Sequence, residues 1–380
     1  MVKFAVIGMG PIGSMHVDNL MSGKIPDAKI ICACEQRPVN DPNKELKIFG
    51  NLDEMLAAGG FDAVIVSTPS FTHFPLAKKC LEAGYHTLVE KPIALCTADA
   101  LELQNIARKC GKTCAIMLNQ RTTPIYTRIK ELVENGEIGK INRISWTMSN
   151  WYRPDIYFAS SPWRGTWKGE AGGALINQSI HNIDIWAWVF GMPKTLRAWC
   201  KYGKYHDIEV EDEVICHMDL PNGASATFTT STGEYPGANR LVIAGDKAFV
   251  VAEGGKLTIT KFVGTTLSEY TKNTLYMFGS PETEEETEEF FGNGEQHVGV
   301  LKNFVNALEG RGNLDFDASQ GVLSLELANA MLLSSWTNSD VSLPLDHGQY
   351  KKLLDQKIAA SKLRENPKQN AIVDFKKSFK

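Results

Sequence analysis

Val2-Lys-Phe-Ala-Val-Ile-Gly8-Met-Gly10-Pro-Ile-Gly13 joins an apolar run, Phe4 to Ile7, to a helix-like stretch from Ile12 to Met21. The glycines fall in a G-x-G-x-x-G pattern at a strand-to-helix turn. Gly8 permits the tight turn, Gly10 lets a pyrophosphate approach the backbone, and Gly13 lets helix pack on strand. Pro11 and Ile12 start a helix whose free N–H groups and positive dipole end suit phosphate. The pattern predicts a dinucleotide-binding domain. A second apolar run, Lys29 to Cys34, ends in Glu35, at about the separation of a ribose-binding acid. Glu35 is expected to bind both adenosine ribose hydroxyls and to repel a 2′-phosphate. That favours NAD over NADP. Arg37, just past the strand, argues the other way, because it can hold such a phosphate.

At 380 residues the chain suggests two domains, with material for two cores. Its 43% hydrophobic and 22% charged content is ordinary for globular protein. A net charge of −4 implies no general attraction to nucleic acid or acidic membranes. No apolar stretch approaches a membrane span, and the first residues enter a strand directly, unlike a signal peptide. The eight cysteines sit mostly in apolar strand or helix patterns. Cys32/Cys34 and Cys110/Cys114 lack a second metal-spaced pair or a nearby histidine. Free thiols in a cytoplasmic protein are expected, and no metal site.

Through residue 120 the pattern alternates strand and helix, with strands at 3–7, 29–34, 63–67, 87–89 and 113–118. Such βαβ repetition predicts a Rossmann-type, doubly wound parallel sheet over residues 1–121. Near Arg121 the grammar changes. A helix at 125–135 and a strand at 142–149 lead into a tryptophan-rich loop, Trp151 to Trp167. One helix is expected over 173–190. Strands follow to residue 259, with Asn222-Gly223 as a hairpin signal and Gly245-Asp246 as a turn. Helices return at 297–308 and 318–335. Residues 122–380 therefore read as an α+β domain with a large, mainly antiparallel sheet. Glu282 to Glu289, six glutamates in eight residues, reads as a solvated loop. The basic tail (Lys368, Lys376, Lys377, Lys380) reads as a solvated extension or a subunit contact.

A bound nicotinamide implies hydride transfer, and oxidising an alcohol also needs a base. Lys91, in Glu90-Lys91-Pro92, follows a strand at the carboxyl edge of the sheet, where ligands bind. Its ammonium can polarise a reacting oxygen. A surface lysine paired to Glu90 is the competing reading. His181 lies four residues after Asn177, which at helical spacing shares its face, and Asp184 is expected to orient its imidazole. A histidine of pKa 6–7 suits proton transfer at neutral pH.

As a set, Gly8–Gly13, Ser67-Thr-Pro-Ser-Phe-Thr-His73, Glu90-Lys-Pro92, Asn119-Gln-Arg121 and Gly172–Asp184 resemble the Gfo/Idh/MocA oxidoreductases. Val210-Glu-Asp212 and Asn222-Gly223 fit too. The resemblance implies a Rossmann domain followed by an α/β domain with an open sheet used for oligomerisation. It makes Lys91 the catalytic lysine and His181 the catalytic histidine. It extends the NAD contacts to Ser67, Thr68, Pro69, His73, Glu90 and Asn119. It also implies a cis Lys91–Pro92 bond. Many members carry aspartate at the position of Asn177. The Asn-Gln-Ser-Ile-His form resembles the subgroup that oxidises the 3-hydroxyl of glycosides and nucleotide sugars.

The loop after Asn150 is aromatic and cationic, which suits sugars. Tyr152, Arg153, Trp163, Arg164 and Trp167 are candidate sugar contacts, with Asn177 and Arg121. A dimer contact is the competing reading of this loop. The leading expectation is an NAD-dependent sugar dehydrogenase acting at C3 of a hexose, glycoside or nucleotide sugar. The expected assembly is a homodimer or homotetramer through the C-terminal sheet. An NAD-retaining enzyme that cleaves glycosides by transient oxidation and elimination, or a non-catalytic NAD sensor, remain alternatives.

Overall fold

The computed structural model describes residues 1–38, 46–365, 367–368 and 371–372. Lys376, Lys377 and Lys380 of the basic tail lie outside the described residues.

Six parallel strands form the first sheet: β1 (Val2–Ile7), β2 (Ala28–Cys34), β3 (Lys47–Phe49), β4 (Ala63–Val66), β5 (His86–Val89) and β6 (Cys114–Ile116). Their order is β3-β2-β1-β4-β5-β6. The order reverses between β1 and β4, and that switch point opens a crevice at the strands' carboxyl ends. Helices cover both faces, so central strands are apolar throughout. Phe4, Ala5, Val6 and all of β4 are fully buried.

The second sheet has nine strands: β7 (Ile141–Met148), β8 (Thr195–Tyr202), β9 (Glu211–Asp219), β10 (Ser225–Ser231), β11 (Asn239–Gly245), β12 (Ala248–Glu253), β13 (Lys256–Phe262), β14 (Thr283–Glu289) and β15 (Val341–Ser342). Their order is β14-β13-β12-β11-β7-β10-β9-β8-β15. Only β7 and β10 pair in parallel; the other neighbours are antiparallel. The glutamate run expected as a loop is the edge strand β14, paired to β13. Exposed carboxylates there lose little hydration, and cross-strand lysines neutralise them. Lys256 lies 2.7 Å from Glu289 and Lys261 lies 2.7 Å from Glu286. Charge on an edge strand also discourages pairing with a further chain.

The helix expected over 173–190 is broken. Residues Ala174–Gln178 form one wide π-type turn, and a regular helix runs over Ile180–Phe190. The Ser179 N–H reaches back five residues to the Ala174 carbonyl at 2.7 Å. Four α-helices among the described residues were illegible in the sequence: Asp155–Ala159, Trp167–Glu170, Leu267–Asn273 and His347–Ala360.

The chain's last third returns to the first sheet. Helix Gln296–Leu308 places Phe304 against Phe4, with ring centroids 6.2 Å apart. The Ile116 N–H donates to the Phe316 carbonyl at 2.9 Å, just before helix Ala318–Thr337. Arg121, expected at the sugar, is turned into this junction instead. Its Nε and Nη2 donate to the Asp184 carboxylate at 2.8 and 2.6 Å, and Nη1 donates to Gln320 Oε1 at 3.1 Å. The two paired side chains are only 4% and 2% exposed. Asp184, expected to orient His181, is committed to Arg121, because a buried carboxylate requires an opposite charge.

Arg121→Leu should therefore destabilise the protein by roughly 3–5 kcal/mol, since it strands the Asp184 carboxylate. The double change with Asp184→Leu should recover much of that loss in chemical denaturation. A single variant as stable as wild type would refute the staple.

Candidate active site

Backbone builds the nucleotide end of the crevice. Gly8 adopts φ +90°, and its N–H donates to the Cys34 carbonyl at 2.9 Å. A Cβ on Gly13 would lie 1.8 Å from the Gly8 carbonyl oxygen, so this helix and strand touch backbone to backbone. Ser67 Oγ donates to the carbonyls of Ile7 and Gly8, each at 3.0 Å, and so ties the loop after β4 to the same turn. A Cβ on Gly10 would meet nothing within 4 Å. The helix Pro11–Met21 starts there with no side-chain cap. Open space beside uncapped N–H groups fits a pyrophosphate.

Glu35 stands at the end of β2. Its carboxylate accepts the Met9 N–H at 3.0 Å, the Arg37 N–H at 3.1 Å and the Arg37 guanidinium at 3.0–3.1 Å. Burial pushes the carboxyl up, but these donors outweigh it and hold it at about 2. Arg37 is folded onto Glu35 with its side chain 74% exposed.

His73 is not placed for direct cofactor contact. It is 1% exposed, with its ring nitrogens 2.7 Å from the Pro92 carbonyl and 2.8 Å from the Thr68 carbonyl. It binds the Ser67–Pro69 loop to the Glu90-Lys91-Pro92 turn. At the end of β6, Asn119 Nδ2 donates to Gln296 Oε1 at 2.6 Å, while its buried Oδ1 has no partner among the described residues. That orphaned acceptor, the open backbone at Gly10 and the ionised Glu35 all suit a bound dinucleotide.

Glu90-Lys91-Pro92 follows β5 at the carboxyl edge, and the Lys91–Pro92 bond is cis. Glu90 Oε1 lies 2.8 Å from His16 Nε2 and 3.8 Å from His297 Nε2. Burial raises the Glu90 carboxyl, yet His16, His297 and Lys91 hold it at about 2. Lys91 does not form the surface ion pair with Glu90. Its Nζ crosses the crevice and donates to the Asn177 backbone carbonyl at 2.8 Å. Burial pushes Lys91 down to about 8; Glu90 opposes this, while Arg164 and Arg153 add to it.

His181 begins the helix after the wide turn and stacks on Trp151, with centroids 6.3 Å apart. Its Nδ1 is buried without a partner among the described residues. Burial, then the Lys91 ammonium, push its imidazole well below the ordinary value of 6.5. The expected value of 6–7 is thus corrected downward: a half-buried ring beside an ammonium is held neutral.

Asn177 is partly buried, and its Nδ2 donates to the Glu170 carboxylate and to the Tyr157 hydroxyl. Beneath it, Glu211 Oε1 accepts the N–H groups of Gly173 and Leu175 at 2.8 and 3.0 Å. Sequence reasoning missed Glu170, Tyr157, His16 and His297, which carry no motif of their own. Glu211 was quoted without a role.

The aromatic loop divides. Tyr152 is 43% exposed and meets Tyr235 edge-on. The Arg153 guanidinium lies 5.4 Å from the Trp151 ring centre and 5.3 Å from that of Tyr157. Arg164 lies 4.1 Å from the Tyr157 ring and 4.4 Å from that of Trp163, with its Nη1 3.8 Å from Glu170. Trp167 stands elsewhere: it is buried against Trp336 and Tyr202, so it is core rather than a sugar contact. Among the described residues, no group of His, Cys, Asp and Glu is arranged to hold a metal.

Residues 2–118 match the oxidoreductase family with an NAD-binding Rossmann fold, and residues 126–251 match the GFO/IDH/MocA C-terminal domain. The scyllo-inositol 2-dehydrogenase (NAD(+)) of Bacillus subtilis (strain 168) is 31% identical over 271 residues, covering 66% of this chain and 73% of the relative. The D-glucoside 3-dehydrogenase of Escherichia coli (strain K12) is 25% identical over 374 residues, covering 90% of this chain and 97% of the relative. The crystal structure of the WlbA dehydrogenase from Chromobacterium violaceum, in complex with NADH and UDP-GlcNAcA, has a TM-score of 0.78 at 27% identity. That match covers 91% of this chain and 96% of the other. With both of its domains matched, the chain belongs to the Gfo/Idh/MocA family of oxidoreductases and carries that family's NAD-binding Rossmann domain.

Proposed function

We propose that this oxidoreductase is an NAD-dependent dehydrogenase of a sugar hydroxyl, at C3 of a hexose, glycoside or nucleotide sugar. The observation that carries the reading is the convergence of Lys91, Asn177 and His181 beside an uncapped helix terminus that suits a dinucleotide. The position on the sugar rests on the similarity to a D-glucoside 3-dehydrogenase. Bound NAD supplies the two-electron acceptor for alcohol oxidation. The Lys91 ammonium holds and polarises the reacting hydroxyl oxygen. Neutral His181 takes the hydroxyl proton; among the described residues its Nδ1 has no partner. Asn177, Tyr152, Arg153, Trp163 and Arg164 place the sugar. Glu35 binds the adenosine ribose.

A screen of sugars and nucleotide sugars, read by NADH absorbance, tests the reaction. Net NADH should accumulate with at least one of them. NAD should bind at least tenfold more tightly than NADP, worth roughly 1.4 kcal/mol, because a 2′-phosphate meets the Glu35 carboxylate. Equal affinities would transfer the decision to Arg37.

His181→Ala should lower turnover by roughly 10²–10⁴-fold with little change in NAD affinity. Lys91→Ala should also lower it, and the two losses should not multiply, since both groups act on one hydroxyl. The rate should rise with pH through a value below 6.5, as His181 loses its proton, and fall above about 8, as Lys91 loses its own. A His181→Ala variant that keeps more than about a tenth of wild-type turnover would shift the role to Lys91 or Tyr152.

We also propose a homodimer or homotetramer formed through the large sheet. Its outer face carries the cross-strand pair Trp199 and Ile215, 49% and 48% exposed. Nearby in sequence to its edge strand, Leu275 and Phe278 are 97% and 98% exposed. Light scattering should return a multiple of 42.0 kDa; a single chain would sink this. The eight free thiols suit a reducing, cytoplasmic setting.

A further inference from the structure

We infer that Glu170 is a positioning residue that fixes which end of the Asn177 amide meets the substrate, and that the site therefore takes a vicinal diol. Glu170 ends the short helix Trp167–Glu170, and its side chain is 2% exposed. Its carboxylate accepts the Gly165 N–H at 2.6 Å and the Asn177 amide group. Burial pushes the Glu170 carboxyl up, while Arg164, the Gly165 N–H, the Asn177 amide and Lys91 favour its ionised form; as a carboxylate it has no hydrogen to give and pairs with the NH₂ end of that amide. The Tyr157 hydroxyl lies 3.2 Å from the same Nδ2, and Arg164 Nη1 and Gln178 Nε2 (2.9 Å) share that oxygen. No described residue donates to Asn177 Oδ1, and the residue is not sealed from the cleft.

The backbone carbonyl of Asn177 meanwhile receives Lys91 Nζ at 2.8 Å. One residue thus anchors the Lys91 donor and offers a side-chain acceptor close beside it. This deepens the sugar-hydroxyl reading and rests on it: Lys91 holds the reacting hydroxyl, and Asn177 Oδ1 accepts the hydrogen of a neighbouring free hydroxyl. Were the amide reversed, it would present a donor there, and a keto or ether oxygen would fit better. Glu170 touches no reacting atom in this scheme; it acts through Asn177.

Exchanging the two groups tests this in the full chain saturated with NAD. Asn177→Asp alone sets two carboxylates against each other in a buried place, and kcat/KM for the sugar found above should fall at least about a hundredfold. Glu170→Gln keeps the shape but lets the two amides pair in either sense; kcat/KM should fall about tenfold, chiefly through KM. In the double variant the amide at 170 donates to the carboxylate at 177, which is the same bond reversed. Its kcat/KM should return to within about tenfold of wild type, a coupling that independent sites do not show. Wild type should prefer the diol over its adjacent deoxy analogue by at least about a hundredfold, and Glu170→Gln should narrow that ratio. Losses that add without recovery, or an unchanged preference in Glu170→Gln, overturn the inference. Melting temperatures of the same four proteins read the contact without turnover: a fall in Asn177→Asp that the double variant reverses supports it, and no reversal overturns it. If wild type oxidises no sugar, the functional proposal falls, while the melting cycle still decides whether Glu170 orients Asn177.

Discussion

The buried ion pair between Arg121 and Asp184 sets the relation between the two sheets. Arg121 leaves the carboxyl end of β6, and Asp184 rides on the helix that begins beside His181. Gln320, on the long returning helix, takes the third guanidinium bond. Removing two charges from water is expensive, and the attraction repays it only when geometry is right. Here the carboxylate is gripped by two parallel bonds, which fixes orientation as well as distance. The helix cannot rotate or slide without breaking them. His181 is therefore presented to the crevice at a set angle, although neither charged partner touches it.

With that register fixed, the crevice brings together titratable groups that perturb one another. Lys91 is short of water and faces Arg153 and Arg164 at moderate range, so its proton is loosely held. Burial, and then the same ammonium, keep His181 neutral. Glu90 is the counterweight. Paired to His16 and close to His297, it supplies the negative charge that opposes the effect of burial on Lys91. An ammonium and a neutral imidazole side by side at pH 7 are a donor and a base, the combination that holding and deprotonating one hydroxyl requires.

What could be read from the sequence follows from how local each signal was. The glycine turn, the alternating strands and the lysine after β5 are properties of a few adjacent residues, and backbone geometry alone makes them recognisable. Arg121, Asp184 and Trp167 were misjudged because their partners lie far along the chain. Asp184 sits one turn after His181, so local spacing pointed to the imidazole, but a buried arginine from another segment took it. Trp167 shared a loop with cleft residues and instead filled the space beside Trp336 and Tyr202. The glutamate run looked unable to form a strand until its lysine neighbours on β13 were in view.

The two ends of the crevice differ for a related reason. The nucleotide end is made of backbone N–H groups, glycines that admit close approach, and one acid at a strand end. Such a surface suits any dinucleotide, and its few requirements are written in one stretch of sequence. The end proposed for the reaction is made of side chains drawn from the turn after β5, the tryptophan-rich loop, the wide turn at Ala174–Gln178 and the returning helix with His297. No single segment specifies it. The wide turn carries Asn177, and Glu211 holds the two N–H groups at its start. A regular helix would have bonded those N–H groups differently and turned Asn177 out of step with Lys91. The extra residue in that turn is thus the local irregularity on which the side-chain half of the site depends, and period counting could not reveal it, because it is a departure from the period itself.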